Sequence, residues 1–320
     1  MGEGLPSPND HDAQQHPSSL ETARLPQAGR FILVDLIRTM GAAEADTVPC
    51  VGKQRLDTLL AERGVFESRS RAAASVMAGE VCVGPGRRRA EKPGEMVPAE
   101  TELHVKERPR YVSRGGLKLE NALARTGIAV AGRRALDVGA STGGFTDCLL
   151  QHGAAAVVAV DVGYGELHHA LRGDPRVRVH ERLNARALTP EVVGAPPPDL
   201  AVVDVSFISL TKVLPAVLAC LEGAHYDVLA LVKPQFEAPR AQVGKGGVVR
   251  DPQARRAALV TVGLAVLRMD GPPAVLGYCS SGLPGPKGNR ETFVHLAEPG
   301  RAGGARSGEE IERMALREEP

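Results

Sequence analysis

The segment from Arg134 to Asp147, R-A-L-D-V-G-A-S-T-G-G-F-T-D, limits the possible folds of this chain more than any other stretch. Its apolar part, Ala135 to Val138, predicts a buried strand, and the glycines after it predict a tight turn into a helix that starts near Gly143. Glycine lets a backbone adopt positive φ and approach a ligand closely, and a helix start adds unpaired N–H groups. The segment therefore predicts either a ligand-binding turn or an ordinary strand-to-helix connection.

Two details narrow the class of ligand. The turn G-A-S-T-G-G differs from G-x-G-x-x-G, and no Lys-Ser or Lys-Thr follows it as in a phosphate-binding loop. Asp161 ends the next apolar run, about 20 residues further on, where an acidic residue would hold a ribose diol. These features predict a nucleoside ligand without a pyrophosphate, such as S-adenosylmethionine.

From Arg134 onward, apolar runs of strand length alternate with helical patterns, which is typical of a doubly wound parallel sheet. In such a sheet ligands bind beyond the carboxyl ends of the strands, so we expect a site near Asp161, Asp204 and Lys233. Helices are predicted near Gly143–His152, Leu210–Leu221 and Pro252–Met269, and strands near Ala135–Val138, Val157–Val162, Val177–Leu183, Leu200–Val205, Val228–Val232, Ala274–Cys279 and Thr292–Leu296.

Charge is distributed unevenly along the chain. The segment from Val51 to Lys118 has 14 Lys and Arg against nine Asp and Glu, a net charge of +5, whereas the whole chain has +1. Within it, Leu56, Leu59 and Leu60 predict one helix, and Ser68 predicts the cap of a second. Arginines 69 and 71 then lie at the helix end where the macrodipole disfavours cations. This pattern predicts a small module that docks on an anionic partner.

From about Arg55 to Val105 this module resembles the S4 RNA-binding domain, in its R-L-D, S-R-S-R-A and G-E-V-C-V-G stretches. A solvated charged face on a small helical domain is the alternative. Since Trp is absent and aromatic residues make up 3% of the chain, we expect contacts to the RNA backbone to dominate over base stacking. The RNA-binding residues expected from this resemblance are Arg55, Arg69, Arg71, Arg87, Arg88, Arg89, Arg110 and Arg114.

Longer motifs extend the resemblance. The stretches V-S-R-G-G-L-K-L, L-D-V-G-A-S-T-G-G-F-T-D, V-D-V-G-Y-G-E-L, V-D-V-S-F-I-S-L, L-V-K-P-Q-F-E and P-G-P-K-G-N-R-E resemble those of the TlyA-type proteins. These are ribosomal RNA 2′-O-methyltransferases that join an S4 domain to an FtsJ-like catalytic domain. The resemblance covers about Arg55 to Leu296 and implies a K-D-K-E catalytic tetrad of Lys118, Asp204, Lys233 and Glu291.

The resemblance also implies a cofactor and a fold. It implies S-adenosylmethionine in a Rossmann-like methyltransferase with a seven-stranded, mostly parallel sheet, preceded by a small α+β S4 domain. Asp161 is expected on the ribose and Asn184 near the adenine. The full set of expected cofactor-binding residues is Asp137, Gly139, Ala140, Ser141, Gly143, Gly144, Phe145, Asp161 and Asn184.

The tetrad suits the chemistry of ribose methylation. A 2′-hydroxyl is a weak acid, so the enzyme must align it with the methyl donor and remove a proton as the bond forms. A lysine at its reference pKa of about 10.4 is protonated, and burial or neighbouring cations lower that pKa. Our hypothesis is that Lys233 takes the proton and Asp204 orients it, while Lys118 and Glu291 position the hydroxyl.

Other classes of protein are disfavoured by the sequence. Five scattered cysteines without C-x-x-C, and histidines without metal-ligand spacing, predict neither disulfides nor a metal site. No apolar run approaches a membrane span, and the first residues lack the order of a signal peptide, so we expect a cytoplasmic protein that acts on ribosomal RNA or ribosomal subunits. A haemolysin, a label that the family has carried, and a non-catalytic ribosome-assembly factor are the alternatives.

The expected domain organisation has five parts. Phe31 to Met40, within the first part, is predicted to form a short amphipathic turn or helix. The parts are a disordered extension (1–52), the S4 domain (53–105), a linker (106–116), the methyltransferase domain (117–299) and a tail (300–320) that is briefly helical from Glu309 to Leu316.

Overall fold

The structure is a computed structural model that describes residues 52–106 and 109–319 and the backbone of Phe31–Val34. The remaining residues of the expected extension lie outside the described residues. The chain divides into two compact units between Arg108 and Pro109.

The smaller unit packs two helices against short antiparallel strands. In the larger of its two sheets the strand order is Phe31–Val34, Leu103–Lys106, Val81–Val83 and Arg88–Arg89, and in the other sheet Lys53–Arg55 pairs with Met96–Pro98. Its core is formed by Leu56, Leu60, Val76 and Leu103, which are buried. In chain order the elements are β1 (Phe31–Val34), β2 (Lys53–Arg55), α1 (Leu56–Glu62), α2 (Arg69–Met77), β3 (Val81–Val83), β4 (Arg88–Arg89), β5 (Met96–Pro98) and β6 (Leu103–Lys106).

The strand Phe31–Val34 differs from the sequence-based expectation, which placed these residues in a disordered extension or a short helix. The backbone of this strand pairs antiparallel with Leu103–Lys106, so β1 is the edge strand of the larger sheet. The reason is that β6 would otherwise present an unpaired edge, which another strand can complete.

The larger unit is a seven-stranded sheet with helices on both faces. Its elements are α3 (Arg114–Thr126), β7 (Arg134–Val138), α4 (Gly144–Gln151), β8 (Ala156–Val160), α5 (His169–Arg172), β9 (Val177–His180), α6 (Pro190–Val193), β10 (Leu200–Val203), α7 (Leu214–Leu218), β11 (Asp227–Val232), α8 (Pro234–Glu237), α9 (Pro252–Leu267), β12 (Ala274–Ser280), β13 (Thr292–Ala297) and α10 (Gly308–Glu318), with 3₁₀ turns at Ala185–Ala187, Leu210–Lys212 and Arg240–Gln242.

The strand order β12-β13-β11-β10-β7-β8-β9 positions the site. Strands β11, β10, β7, β8 and β9 are parallel, and β13 runs antiparallel to both β11 and β12. The sheet is therefore mostly parallel, as predicted. Because the chain leaves the central strand β7 in one direction and returns on its other side at β10, the carboxyl ends of β7 and β10 form the topological switch point where ligands bind.

All seven predicted strands are present. The apolar runs of the central strands are buried because helices cover both faces; every residue of β10 and β11, for example, is buried, whereas the edge strand β9 has no fully buried residue. Separate apolar clusters fill the two layers, one around Leu214 and Val262 and the other around Leu119 and Leu149. Periodicity was sufficient to locate the sheet because a buried parallel strand has a continuous apolar pattern.

Two helix boundaries differ from prediction. The residues Arg114–Gly116, predicted as part of a linker broken by glycines, form the first turn of α3. A Cβ at Gly116 would lie within the ring of Tyr111, so this glycine permits close packing rather than breaking the helix. The predicted helix Leu210–Leu221 is instead a 3₁₀ turn followed by α7, because Pro215 begins a new helical segment.

No helix in the described part of the chain combines the length and the apolar character of a membrane span. Across those same residues, no group of three or more His, Cys, Asp or Glu side chains could hold a metal ion.

Candidate functional site

The glycine turn after β7 has the tight geometry that its sequence predicts. Gly139 has φ of 88°, and a Cβ there would lie 2.5 Å from the carbonyl oxygen of Asp204. Gly143 has φ of 96°, and a side chain at Gly144 would collide with the Ser113 hydroxyl. These three positions therefore require glycine, because larger residues would push the turn away from its neighbours.

Asp161, which directly follows β8, forms hydrogen bonds with this turn. Its carboxylate accepts hydrogen bonds from the backbone N–H of Ser141 (2.8 Å) and of Gly163 (2.6 Å). A carboxylate has about four acceptor positions, so two remain for a ligand. Asp161 thus lies beside the turn, where the sequence predicts the ribose contact.

A pocket of about 350 Å³ opens above the turn. Its volume lies within the range of about 300 to 1,000 Å³ that small-molecule sites occupy. Two helices, α3 and α4, have residues of their first turns in the lining of this pocket. The lining residues are Ser113, Arg114, Gly115, Lys118, Gly139, Ala140, Ser141, Thr142, Gly144, Phe145, Asp204 and Pro286.

The first lysine of the predicted tetrad, Lys118, is buried on α3 and lines the pocket. Its Nζ donates to Oε2 of Glu291 at 2.5 Å, across 173 residues of sequence. Glu291 is buried just before β13, and Gly285 approaches its carboxylate so closely that a Cβ would collide with it. The two residues form a buried ion pair in which each charge compensates the other.

The second lysine, Lys233, follows β11 and forms the other pair. Its Nζ lies 2.6 Å from Oδ1 of Asp204, which follows β10, and donates a hydrogen bond to the Ser206 hydroxyl (2.9 Å). Asp204 lines the pocket together with Lys118. The four predicted tetrad residues are thus brought together as two ion pairs at the carboxyl edge of the sheet.

Asp137 lies beneath the glycine turn rather than on the pocket surface. It is fully buried and accepts a hydrogen bond from Thr146 Oγ1 at 2.6 Å. Burial raises the pKa of Asp137 to about 7, and the hydrogen bond from Thr146 only partly opposes this. Its other oxygen has no hydrogen-bond partner among the described residues.

The loop after β10 has a contact network that the sequence did not predict. Glu237 accepts hydrogen bonds from the Ser209 hydroxyl (2.5 Å) and the backbone N–H of Leu210 (2.8 Å), and burial raises its pKa. Just before these contacts in the chain, Phe207 has φ of 65° and is 92% exposed, with its ring 5.3 Å from that of Phe236. The loops after β10 and β11 therefore hold an exposed aromatic ring in a strained backbone conformation.

Other predicted residues lie outside the pocket lining. Asn184 is exposed, and its side-chain oxygen caps a 3₁₀ turn by accepting from the N–H of Arg186, which leaves its amide N–H groups free to donate. Gly143 supports the turn from below, where a side chain would collide with Leu171.

Four residues that line the pocket were not among the predicted site residues: Ser113, Gly115, Thr142 and Pro286. Ser113 had a signal, because a serine before a helical pattern predicts an N-cap, and it does accept from the N–H of Gly115. Thr142 lies within the predicted glycine turn. Gly115 and Pro286 had no local signal, because their places in the lining depend on contacts across the fold.

In the smaller unit, the predicted RNA-binding arginines divide into two groups. Arg55 and Arg69 both contact the buried carboxylate of Asp57, and Arg88 forms an ion pair with Glu95. For Arg71, Arg87 and Arg89, the described residues include no acidic partner. Hydrogen bonds from Arg55, and a weaker one from Arg69, hold the pKa of Asp57 at about 2 despite its burial.

The last two predicted arginines belong to the larger unit. Arg110 forms an ion pair with Glu120 and lies 5.4 Å from the ring of Tyr111. Arg114, the first residue of α3, lies at the pocket itself.

Two family models match this chain. The model described as an FtsJ-like methyltransferase matches residues 111–298, and the S4 domain model matches residues 54–103. These ranges correspond to the larger and the smaller unit.

Relatives with known names agree with these models. The chain is 47% identical to the 16S/23S rRNA (cytidine-2′-O)-methyltransferase TlyA of Mycobacterium tuberculosis, over 84% of this chain and 99% of that protein. It is 39% identical to Hemolysin A of Brachyspira hyodysenteriae, over 76% of this chain and 99% of that protein. A solved structure described as a candidate hemolysin from Streptococcus thermophilus is 42% identical, with a TM-score of 0.60, and covers 84% of this chain and 96% of its own. The chain therefore belongs to the FtsJ-like methyltransferases and, within them, to the TlyA type that carries an S4 domain.

Proposed function

We propose that this methyltransferase transfers a methyl group from S-adenosylmethionine to the ribose 2′-oxygen of cytidine in 16S and 23S ribosomal RNA, in the cytoplasm. The observation that carries the proposal is the convergence of two lysine–carboxylate pairs on the pocket that the glycine turn forms. The relative from M. tuberculosis is named for this activity on both RNAs.

The pocket fits the cofactor. Its floor is a glycine turn that lacks the side chains that would fill it, and Asp161 keeps acceptor positions for a ribose diol. We assign Gly139, Ala140, Ser141, Gly144 and Phe145 to the cofactor through the pocket that they line. The start of α4, which has no side-chain cap, provides N–H groups for a carboxylate. When bound, S-adenosylmethionine supplies an electrophilic methyl group and a positive charge.

The two ion pairs have different functions toward the ribose 2′-hydroxyl. Lys118 is fixed by Glu291 and faces the pocket, so this pair positions the 2′-hydroxyl. Lys233 is held between Asp204 and Ser206 and accepts the hydroxyl proton as the new bond forms. Ser206 is exposed, so the proton has a route to solvent.

The exposed ring of Phe207 provides a contact for the target base. It lies three residues after Asp204, and the loop is fixed by Glu237. Stacking on an aromatic ring is how proteins hold unpaired RNA bases. The smaller unit contributes affinity through its arginines, with contacts to the RNA backbone.

Methyl transfer to isolated ribosomal subunits tests the proposal. Purified protein and labelled S-adenosylmethionine are incubated with small and large subunits that lack the modification, and 2′-O-methyl positions are mapped in the RNA. We expect label in a cytidine of each RNA. Label on a base, or absence of label from both subunits and both free RNAs, would contradict the proposal.

The haemolysin reading has a separate test, since two relatives have that name. Leakage from liposomes by a variant with Lys233→Met, at the level of the unmodified protein, would show a membrane activity independent of methylation. We expect no leakage from either protein.

A further inference from the structure

We infer that Asp57 is a positioning residue of the RNA-docking surface: it holds the side chains of Arg55 and Arg69 so that their free N–H groups are presented together to RNA phosphates. The inference rests on the proposed function, because it names how one part of the S4 unit contacts the RNA.

The contacts around Asp57 carry the inference. Its side chain is 4% exposed, whereas those of Arg55 and Arg69 are 45% and 58% exposed. Arg55 donates to it through Nε (3.1 Å) and Nη2 (2.7 Å), and Arg69 Nε lies 3.2 Å from the same carboxylate. A buried carboxylate thus lies behind two arginines that face solvent.

The geometry leaves donors available. A guanidinium has five N–H groups in a fixed plane. Arg69 uses its Nε toward Asp57, so the four N–H groups on its two Nη atoms remain. Arg55 uses one edge and keeps the donors of Nη1. Arginine binds phosphate through such pairs of parallel N–H groups.

A glycine completes the support of Arg55. A Cβ at Gly94 would lie 2.8 Å from Nη1 and 3.1 Å from Nη2 of Arg55, so its guanidinium rests against the backbone of Gly94. Gly94 is not among the glycines with positive φ, so alanine fits its backbone conformation. A methyl group there would therefore displace the guanidinium of Arg55 without removing a charge.

The same carboxylate connects the starts of two helices. Asp57 lies in the first turn of α1 and Arg69 begins α2, whose first turn has no acidic residue. A cation at that position is disfavoured by the macrodipole, and the carboxylate of Asp57 compensates it. Asp57 therefore allows an arginine to be held where it faces solvent beside Arg71.

Net charge alone predicts the opposite effect on RNA affinity, so the direction of the change distinguishes the two explanations. Removing a negative charge from a basic surface should strengthen binding to RNA, because a phosphate would meet a larger net positive charge. If Asp57 positions the arginines, its removal should weaken binding, since both long side chains regain the rotamer freedom that they must lose on the RNA.

The experiment compares three variants of the full chain in binding to 16S and 23S ribosomal RNA transcripts over a range of salt concentrations. We expect Asp57→Asn to weaken binding about 3- to 10-fold and Gly94→Ala about 2- to 5-fold, and the slope of log affinity against log salt to fall by about 1 in each. Glu67→Gln is the matched control, because Glu67 is exposed and the described residues give it no ion pair. It should bind as the unmodified chain does, or slightly more tightly.

Three outcomes decide the inference. Equal or tighter binding by Asp57→Asn, with an unchanged salt slope, would overturn it. If Asp57→Asn fails to fold by circular dichroism, Gly94→Ala decides alone, and unchanged affinity of that variant overturns the inference. If the unmodified chain neither binds nor methylates ribosomal RNA, the proposed function fails instead, which is a distinguishable result.

Discussion

The two edges of the seven-stranded sheet use the same kinds of residue in different arrangements. At the carboxyl edge, two lysines meet two carboxylates one to one beside a pocket of about 350 Å³. At the amino edge, the carboxylate of Asp227 accepts from His295 (2.9 Å) and Arg133 (2.7 Å) and lies 3.5 Å from Arg301. The two arginines also pair with Asp199 and Glu298, so this edge is a shared network of charges.

The surroundings of these charges explain the difference. Burial alone would raise the pKa of Asp227, but the hydrogen bonds from His295 and Arg133 lower it to about 2, so this carboxylate is firmly ionised and fully used. At the carboxyl edge, Asp204 and Lys118 border open space. The charges at the carboxyl edge are therefore accessible to a ligand, whereas the carboxylate of Asp227 is already occupied by its neighbours.

The largest effect is expected from a substitution at the carboxyl edge of the sheet. Lys233→Met removes the proposed proton acceptor and should lower the single-turnover rate of methyl transfer about 10²- to 10⁴-fold. The melting temperature should change little, because Asp204 is only partly buried and can be solvated. A rate within threefold of the unmodified enzyme would assign the proton to another group.

The next prediction concerns the buried acid between the two edges, Asp137. Its pKa of about 7 in the folded protein lies above its ordinary value of 3.8, so the folded state binds more protons than the unfolded state between these values. Stability of the cofactor-free protein should therefore fall as pH rises from about 4 to 7, by on the order of 4 kcal/mol. Asp137→Asn should flatten this dependence in denaturant titrations, and Asp270→Asn, at an exposed position, should not.

Breaking the amino edge should affect stability and leave catalysis unchanged. Asp227→Asn removes the carboxylate that contacts His295 and one of the two that pair with Arg133, and should destabilise the larger unit by about 2 kcal/mol at pH 7, with an unchanged rate of methyl transfer. Because the folded pKa of Asp227 is lowered to about 2, its contribution is present above about pH 4 and is lost as pH falls toward 2. A reduced rate in the folded variant would show that this cluster is coupled to the site.

The smallest effect is expected from a substitution that tests how Lys233 is held at the carboxyl edge. Ser206→Ala removes one of the two contacts of Lys233 Nζ and should lower kcat about 3- to 10-fold, with little change in KM. Ser206→Thr keeps the hydroxyl and should restore most of the rate. Equal rates for the alanine and threonine variants, both reduced, would assign the loss to the loop backbone instead.

Sequence predicted the sheet and the edge at which the candidate site residues meet, because both depend on local patterns. Buried strands have continuous apolar runs, and the residues that follow them, Asp204 and Lys233 among them, must meet at one edge. The hypothesis from the sequence grouped Lys233 with Asp204 and Lys118 with Glu291, but the ion-pair contacts themselves depend on the fold. The same is true of Asp57, whose contact with Arg69 joins two helices.

Resemblance and physical reasoning contributed different parts of the prediction. Periodicity gave the seven strands, whereas the resemblance supplied the roles of the tetrad residues. Neither predicted the first turn of α3, because the glycines there follow from the position of the Tyr111 ring. Close packing between distant residues has no local sequence pattern.

The contact between Gly139 and the carbonyl of Asp204 has a mechanical consequence. The glycine turn is proposed to bind the methyl donor, and the neighbouring loop contains Asp204. The two loops contact each other through main-chain atoms, with no flexible side chain between them. Because the two loops share this backbone contact, a small movement of the sheet should displace them together. The distance between the methyl donor and the hydroxyl that accepts the methyl group should then stay the same.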